Sequence, residues 1–204
     1  MNTKINFQKE YEKVVEQIKD GNPHSLLLHC CCAPCASHCL TVVTKDFDTS
    51  AFFYNPNIFP TEEYLYRLEE LIRLTKSMPL PRPVRVIEGT YCPQDFFEVA
   101  KGLENAPERG ERCYACFTLR LAETARAART GGFEYFGTTL TLSPKKDEQV
   151  INAIGEKIAS EYGVKWLPSD FKKQDGYLHS IALSKQYDLY RQNYCGCLYS
   201  KNHD

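Results

Sequence analysis

Apolar residues recur at intervals of three and four over positions 5–20, where Ile5, Tyr11, Val14, Val15 and Ile18 stand among lysines and glutamates, and the pattern stops at Gly21. That period predicts an amphipathic helix. Beyond it, two kinds of segment alternate. Short apolar runs at 25–29, 49–54, 84–88, 133–138 and 164–167 predict strands, and longer stretches at 36–45, 61–76, 93–104, 113–129, 147–162 and 177–190 predict helices. Thr61 is read as a helix cap, with Glu62 and Glu63 in the first turn and Leu65, Leu68, Leu71 and Ile72 as the buried stripe. Val150, Ile151, Ile154 and Ile158 share one face of the 147–162 helix, and Gly131-Gly132 closes the one before it.

Strands alternating with helices predict a single α/β domain on a mostly parallel sheet, with helices covering both faces. In such sheets ligands gather beyond the carboxyl ends of the strands. Three features fall on that edge: the run His29-Cys30-Cys31-Cys32-Ala33-Pro34-Cys35 after the first strand, Asn55 after the second, and Thr138-Thr139 after the fourth.

Composition narrows the function. Apolar residues are 43% of the 204, charged residues 25%, and the net charge is −1. That excludes a protein coated in basic charge but leaves room for a local basic patch. No apolar run approaches the ~18 residues that a membrane span needs. The first residues carry charges where a signal peptide would be apolar, so a cytoplasmic protein with reduced thiols is expected.

Ten cysteines are therefore candidates for metal binding or catalysis rather than cross-linking. They fall into groups at 30, 31, 32, 35 and 39, at 113 and 116, and at 195 and 197, with Cys92 alone. Cys32 and Cys35 form one C-x-x-C, Cys113 and Cys116 a second, and Cys195 and Cys197 a C-x-C. Both C-x-x-C pairs are placed at helix starts, where unpaired N–H groups favour thiolates. The motif sulfurs exceed the four ligands of a closed zinc site, which suits an iron–sulfur cluster with a remainder for a second metal or redox work. A four-thiolate zinc site with extra buried cysteines and a thioredoxin-like dithiol remain as alternatives. Cys30, Cys39 and Cys92 read as ordinary buried thiols, and His29 as a hydrogen-bonding neighbour of the ligands. Neither G-x-x-x-x-G-K-[ST] nor G-x-G-x-x-G occurs, so ATP or dinucleotide chemistry is unsupported.

Taken together, His29–Cys35, Tyr54-Asn55-Pro56-Asn57-Ile58, Glu63-Tyr64 with Arg67, Arg112-Cys113-Tyr114-Ala115-Cys116 with Arg120-Leu121, Thr138-Thr139-Leu140 with Ser143-Pro144-Lys145, and Tyr190-Arg191-Gln192-Asn193-Tyr194-Cys195-Gly196-Cys197 resemble the QueH-type epoxyqueuosine reductases, in order, from about residue 24 to 199. The resemblance implies a Rossmann-like sheet similar to that of nucleotide hydrolases. It implies reduction of epoxyqueuosine at the wobble position of a tRNA anticodon loop to queuosine, the last step of queuosine biosynthesis, without cobalamin. It further implies a [4Fe-4S] cluster with an additional mononuclear iron, fed by an external electron donor.

Carried over residue by residue, the matching sulfurs are Cys31, Cys32, Cys113, Cys116, Cys195 and Cys197. Some relatives have Asp at position 35, which makes Cys35 the candidate ligand of the second iron. Spacing leaves open which four cysteines hold the cluster. Tyr190, Tyr194 and His29 are candidate proton donors. Tyr54, Asn55, Arg67, Lys145 and Arg191 are candidate substrate contacts, with Lys146, Lys172, Lys173, Arg82 and Arg85 as further phosphate partners and Tyr114 and Phe171 as stacking surfaces. Residues 1–23 would form a peripheral helix on a catalytic domain of 24–204. The competing classes are a zinc-stabilised RNA-binding module without redox activity and a tRNA sulfur-transfer enzyme.

Overall fold

The computed structural model describes residues 4–19 and 21–201. Five parallel strands, β1 (His24–His29), β2 (Phe47–Phe53), β3 (Arg85–Glu88), β4 (Tyr135–Thr138) and β5 (Lys165–Trp166), lie in the order β3-β2-β1-β4-β5. The helices between and around them are α1 (Phe7–Gln17), α2 (Ala33–Val43), α3 (Thr61–Ser77), α4 (Pro93–Ala100), α5 (Glu111–Thr130), α6 (Glu148–Tyr162) and α7 (Gly176–Gln186).

Successive strand side chains point to opposite faces, and the two faces feed separate cores. Leu26 and Leu28 of β1 join Leu40, Val43, Leu71, Leu74 and Leu183 under α2, α3 and α7. Leu27 joins Phe117, Leu121, Ala125, Phe136, Ile151 and Trp166 under α5 and α6. A strand buried on both sides must be apolar throughout, which is why Leu26-Leu27-Leu28 is a run and not an alternation.

Several predicted boundaries shift for local reasons. α2 begins at Ala33, with Cys32 at its cap and a proline in its first turn, so Cys35 lies inside the helix instead of ahead of it. In α3 the cap is Pro60, not Thr61, and Leu65 faces solvent; Tyr64, Arg67, Leu68, Leu71 and Leu74 form the buried stripe. α4 stops at Ala100, and α7 stops at Gln186, leaving 187–197 irregular. α1, peripheral on the sequence reading, buries Phe7 and Tyr11, and Tyr11 meets Phe171 edge-on at 6.0 Å.

The strand order reverses direction at β1: its neighbour on one side follows it immediately in sequence, and its neighbour on the other comes after two further strands. The crevice beyond β1 and β4 is thus the topological switch point, where open α/β sheets bind ligands.

On the α6 side, Asn152 is fully buried and ties helix to sheet. Its amide donates to the carbonyls of Glu148 (2.8 Å) and Ser169 (2.9 Å), while Oδ1 accepts from Trp166 Nε1 and Ser169 N, both at 3.0 Å. Replacing Asn152 with Leu strands these buried partners at a cost of about 3 kcal/mol. Thermal unfolding followed by circular dichroism should show Tm falling by about 8 °C.

Candidate metal centre

The first sulfur group forms where β1 runs out. Cys30 N still donates to Phe52 O (2.8 Å), then the chain turns into α2. The Sγ atoms of Cys31, Cys32 and Cys35 lie within 4.8 Å of one another, with Cys31 and Cys32 at 3.7 Å. At a metal–sulfur bond of about 2.3 Å, this is the reach of a single ion. Thr139, at the end of β4, accepts from Cys31 N through Oγ1 (3.4 Å), so both strands of the switch point hold the group.

The second group has two sources. Cys113 and Cys116 open α5, and Arg109 N donates to Cys113 Sγ at 3.3 Å. Cys195 and Cys197 come from the chain after α7, bent by Gly196 at φ 111°. Gly196 O accepts from Phe59 N (3.0 Å), and Cys195 O from Arg67 Nη1 (3.2 Å). All four cysteines line one small hollow, with Asn57, Phe96, Arg112 and Phe117. A larger cavity of about 250 Å³ opens over both groups and is lined by Cys31, Cys32, Cys35, Cys113 and Cys195. All ten cysteines are free thiols.

Protonation departs from the expectation that both C-x-x-C pairs would be thiolates. Cys31 alone is held well below the usual thiol range, because Cys32 and Cys35 donate S–H bonds to it and Lys146 and Arg120 add positive charge. Donation to Cys31 and burial push Cys32 and Cys35 up. Burial pushes Cys113 up and takes Cys116 to about 12. Without a metal, desolvation outweighs the helix N-terminus at these sites.

Beneath the sulfurs lies Arg120, 1% exposed. Its Nη2 donates to Asn55 Oδ1 (2.8 Å), its Nε to His29 Nε2 (3.3 Å), and Nη1 faces Cys116 Sγ at 3.9 Å. Among the described residues it has no carboxylate partner; the ionisable groups around it are the sulfurs of Cys116, Cys31 and Cys195. A buried, unpaired guanidinium fits a centre whose ligands are thiolates and whose net charge is negative. The sequence names Arg120 only as part of the family pattern, with no role, although it stands one helical turn beyond Cys116, on the same face. His29, with both ring nitrogens hydrogen-bonded among Thr138, Tyr54 and Arg120, is driven down to about 3 by burial and then by the Arg120 charge, so the ring is neutral.

The cavity gathers Arg67, Lys145, Arg191 and Tyr194 from the sequence-based candidates, together with Tyr114 and Lys146. Arg67 is engaged by Glu63 (2.7 Å) and lies under the Tyr194 ring, centroid 5.2 Å away, so it braces the cysteine tail and is not free for phosphate. Others stand outside the cavity. Tyr54 is buried with its hydroxyl on Asp95 (3.0 Å), and Asn55 Nδ2 donates to Cys30 O (2.9 Å). Tyr190 donates to both Glu63 oxygens at 3.2 Å. Phe171 is core, Arg82 donates to the Thr44 and Lys45 carbonyls, and Arg85 donates to Ser50 Oγ (3.0 Å). Lys172 is paired with Glu148 and Asp170, and Lys173 is exposed away from the cavity. Arg109, at φ 72°, lines the cavity and carried no sequence signal.

The sequence is similar to several known proteins. The family profile described as epoxyqueuosine reductase QueH matches residues 26–203. A protein of Staphylococcus epidermidis named epoxyqueuosine reductase QueH is 44% identical over 98% of this chain and 86% of its own length. Those of Streptococcus pyogenes serotype M1 and Thermotoga maritima, carrying the same name, are 39% identical (98% and 79%) and 37% identical (86% and 90%).

A Cβ at position 196 would meet Arg67 Nη1 and Ile58 Cγ1, each at 3.0 Å, on a backbone that L residues rarely adopt. Gly196→Ala should destabilise the protein by about 1–3 kcal/mol. It should also loosen the tail, so that Cys195 and Cys197 in the metal-free protein react faster with a disulfide reagent such as DTNB than in wild type.

Proposed function

The chain belongs to the epoxyqueuosine reductase QueH family, and from that premise we propose that it removes the epoxide oxygen of epoxyqueuosine in the anticodon loop of tRNA, using a metal centre shared between its two sulfur groups. Cys113, Cys116, Cys195 and Cys197 would hold a [4Fe-4S] cluster, and Cys31, Cys32 and Cys35 an additional iron. The observation that carries the division is geometric: four cysteines from two distant segments line a common hollow, while the other three sulfurs are within reach of one ion. When bound, such a pair supplies electrons singly and a Lewis acid at the oxygen that leaves.

The chain's own residues do the rest. Loss of the oxygen as water consumes two electrons and two protons, the electrons coming from an external one-electron donor. Arg120 offsets thiolate charge from below. The modified base must leave the anticodon stack to enter the cavity, as flipped or splayed bases do. Tyr114, 38% exposed at the rim, presents a ring for it to stack on. Lys145, Arg109 and Arg191, all at the mouth and exposed, are disposed to meet phosphates of the loop. Tyr194 is the candidate proton donor that lines the cavity; Tyr190 and His29 have internal partners and act as supports.

Protein purified without oxygen should absorb broadly in the visible and contain about five irons and about four sulfides per chain. With a reductant it should convert epoxyqueuosine in tRNA to queuosine, read by nucleoside mass spectrometry. Stoichiometric zinc without iron or sulfide would overturn the cluster in favour of a zinc-stabilised module. Cys35→Ser should lower turnover while most of the visible absorbance stays; complete loss of that absorbance would make Cys35 a cluster ligand.

A further inference from the structure

Two adjacent lysines follow the turn after β4, and they are not equivalent. Lys145 is exposed, whereas Lys146 is half-buried, and the turn that aims it is closed by Lys146 N donating to Ser143 O (3.1 Å). The sulfurs of Cys195, Cys31 and Cys35 lie close enough to act on its charge, with the Arg120 guanidinium the like charge nearby. Lys146 thus lines the same cavity wall as sulfurs of both groups.

Its ammonium has no carboxylate, carbonyl or hydroxyl partner among the described residues. Lys172 has the opposite disposition, held by Glu148, Asp170 and Thr141 O. Of the other cationic groups that line the cavity, Arg67 is engaged by Glu63 and Cys195 O, Arg120 by Asn55 and His29, and Arg191 by Ser184 Oγ (3.1 Å), whereas Lys145 and Arg109 are exposed to solvent. A strong triple donor on the wall of this cavity, left without an oxygen acceptor from the protein, is free to meet one on a bound molecule.

We propose that Lys146 is a catalytic residue whose ammonium donates to the epoxide oxygen of the bound base; the proposal rests on the family reaction assigned above. As the first C–O bond breaks, its electron pair stays on oxygen, and the ammonium meets the charge that develops there. Two electrons enter at the carbon so exposed, the remaining C–O bond breaks, and a second bond forms between the two carbons. Those electrons come from the external donor, and two protons, one passing through Tyr194 and both replenished from solvent, balance the water released. A fixed cation aimed at an oxygen that gains charge only during reaction stabilises the transition state more than the ground state, so its loss falls on kcat.

The test compares Lys146→Met and Lys146→Arg with wild type, all purified without oxygen, by steady-state turnover of epoxyqueuosine-containing tRNA, tRNA affinity in the absence of reductant, and iron and sulfide content. In the Met variant kcat should fall by about 100-fold or more. Its KM and tRNA affinity should stay within about threefold of wild type, with metal and sulfide content kept. The Arg variant, which restores a cation, should recover roughly tenfold of the loss. Undiminished kcat in the Met variant overturns the proposal. So does a defect confined to tRNA affinity, which makes Lys146 a phosphate contact, or loss of iron, which makes it part of the metal's support. Wild-type protein that forms no queuosine overturns the family reaction for this chain and the role of Lys146 with it, whereas wild-type turnover beside an unaffected Met variant removes Lys146 alone.

Discussion

A guanidinium keeps its charge at any pH a folded protein meets, so burying one obliges the surrounding chain to supply acceptors in a fixed geometry. This chain buries three beneath its sulfurs: Arg67, Arg112 and Arg120, each about 2% exposed or less. Arg112 gathers the carbonyls of Leu103, Glu104 and Ala106 and lies under the Tyr199 ring, fixing the loop ahead of α5 and the segment after Cys197. Arg67 joins Glu63 to the Cys195 carbonyl, and Arg120 joins Asn55 to His29. Each arginine thus ties a segment bearing or flanking a cysteine to a second element. Three sulfur segments scattered over 167 positions are held to one another by planar forks, not by hydrophobic contact alone.

The sheet decides where those forks can act. Because the strand order turns back at β1, the ends of β1 and β4 part and leave a crevice with a backbone on each side. Hydrogen bonds cross it: His29 to Thr138 and Cys31 to Thr139. The crevice is therefore stiff on its floor, while its upper wall, made by the 143–147 turn and the 191–195 segment, carries the exposed cations. Sulfurs held from below and long side chains above would suit a site that keeps metals while admitting a bulky polymer.

Much of this was legible in the residues. Every predicted strand and helix exists, because the apolar periods of a two-sided parallel sheet and its covering helices are distinct. Boundaries failed where side-chain chemistry at a helix end competed with periodicity: Pro34 started α2 early, and Asp188, with φ 48°, falls just beyond the point where α7 stops short. The sulfur positions were legible because clustered cysteines have few other reasons to exist. The basic residues were not, since Arg67, Lys146 and Lys172 look alike in sequence, yet one is a buried brace, one faces thiols and one is neutralised by acids. Burial separates them, and burial depends on contacts between residues far apart in the chain.

The mixture of one thiolate and several thiols follows from the same charge accounting. In the absence of metal, Arg120 and Lys146 bring two positive charges to the sulfurs, too few to hold all seven motif cysteines ionised in a buried place. The protein therefore keeps protons on the sulfurs of Cys32, Cys35, Cys113 and Cys116 and lets Cys31 take the thiolate that its neighbours' S–H groups stabilise. Metal ions would displace those protons and bring the missing positive charge with them. The arginine and lysine then need not neutralise the thiolates by themselves; they would offset only the residual negative charge of a loaded centre. That is consistent with cations set between the sulfurs and the cavity without matching acids, in a chain whose net charge is −1.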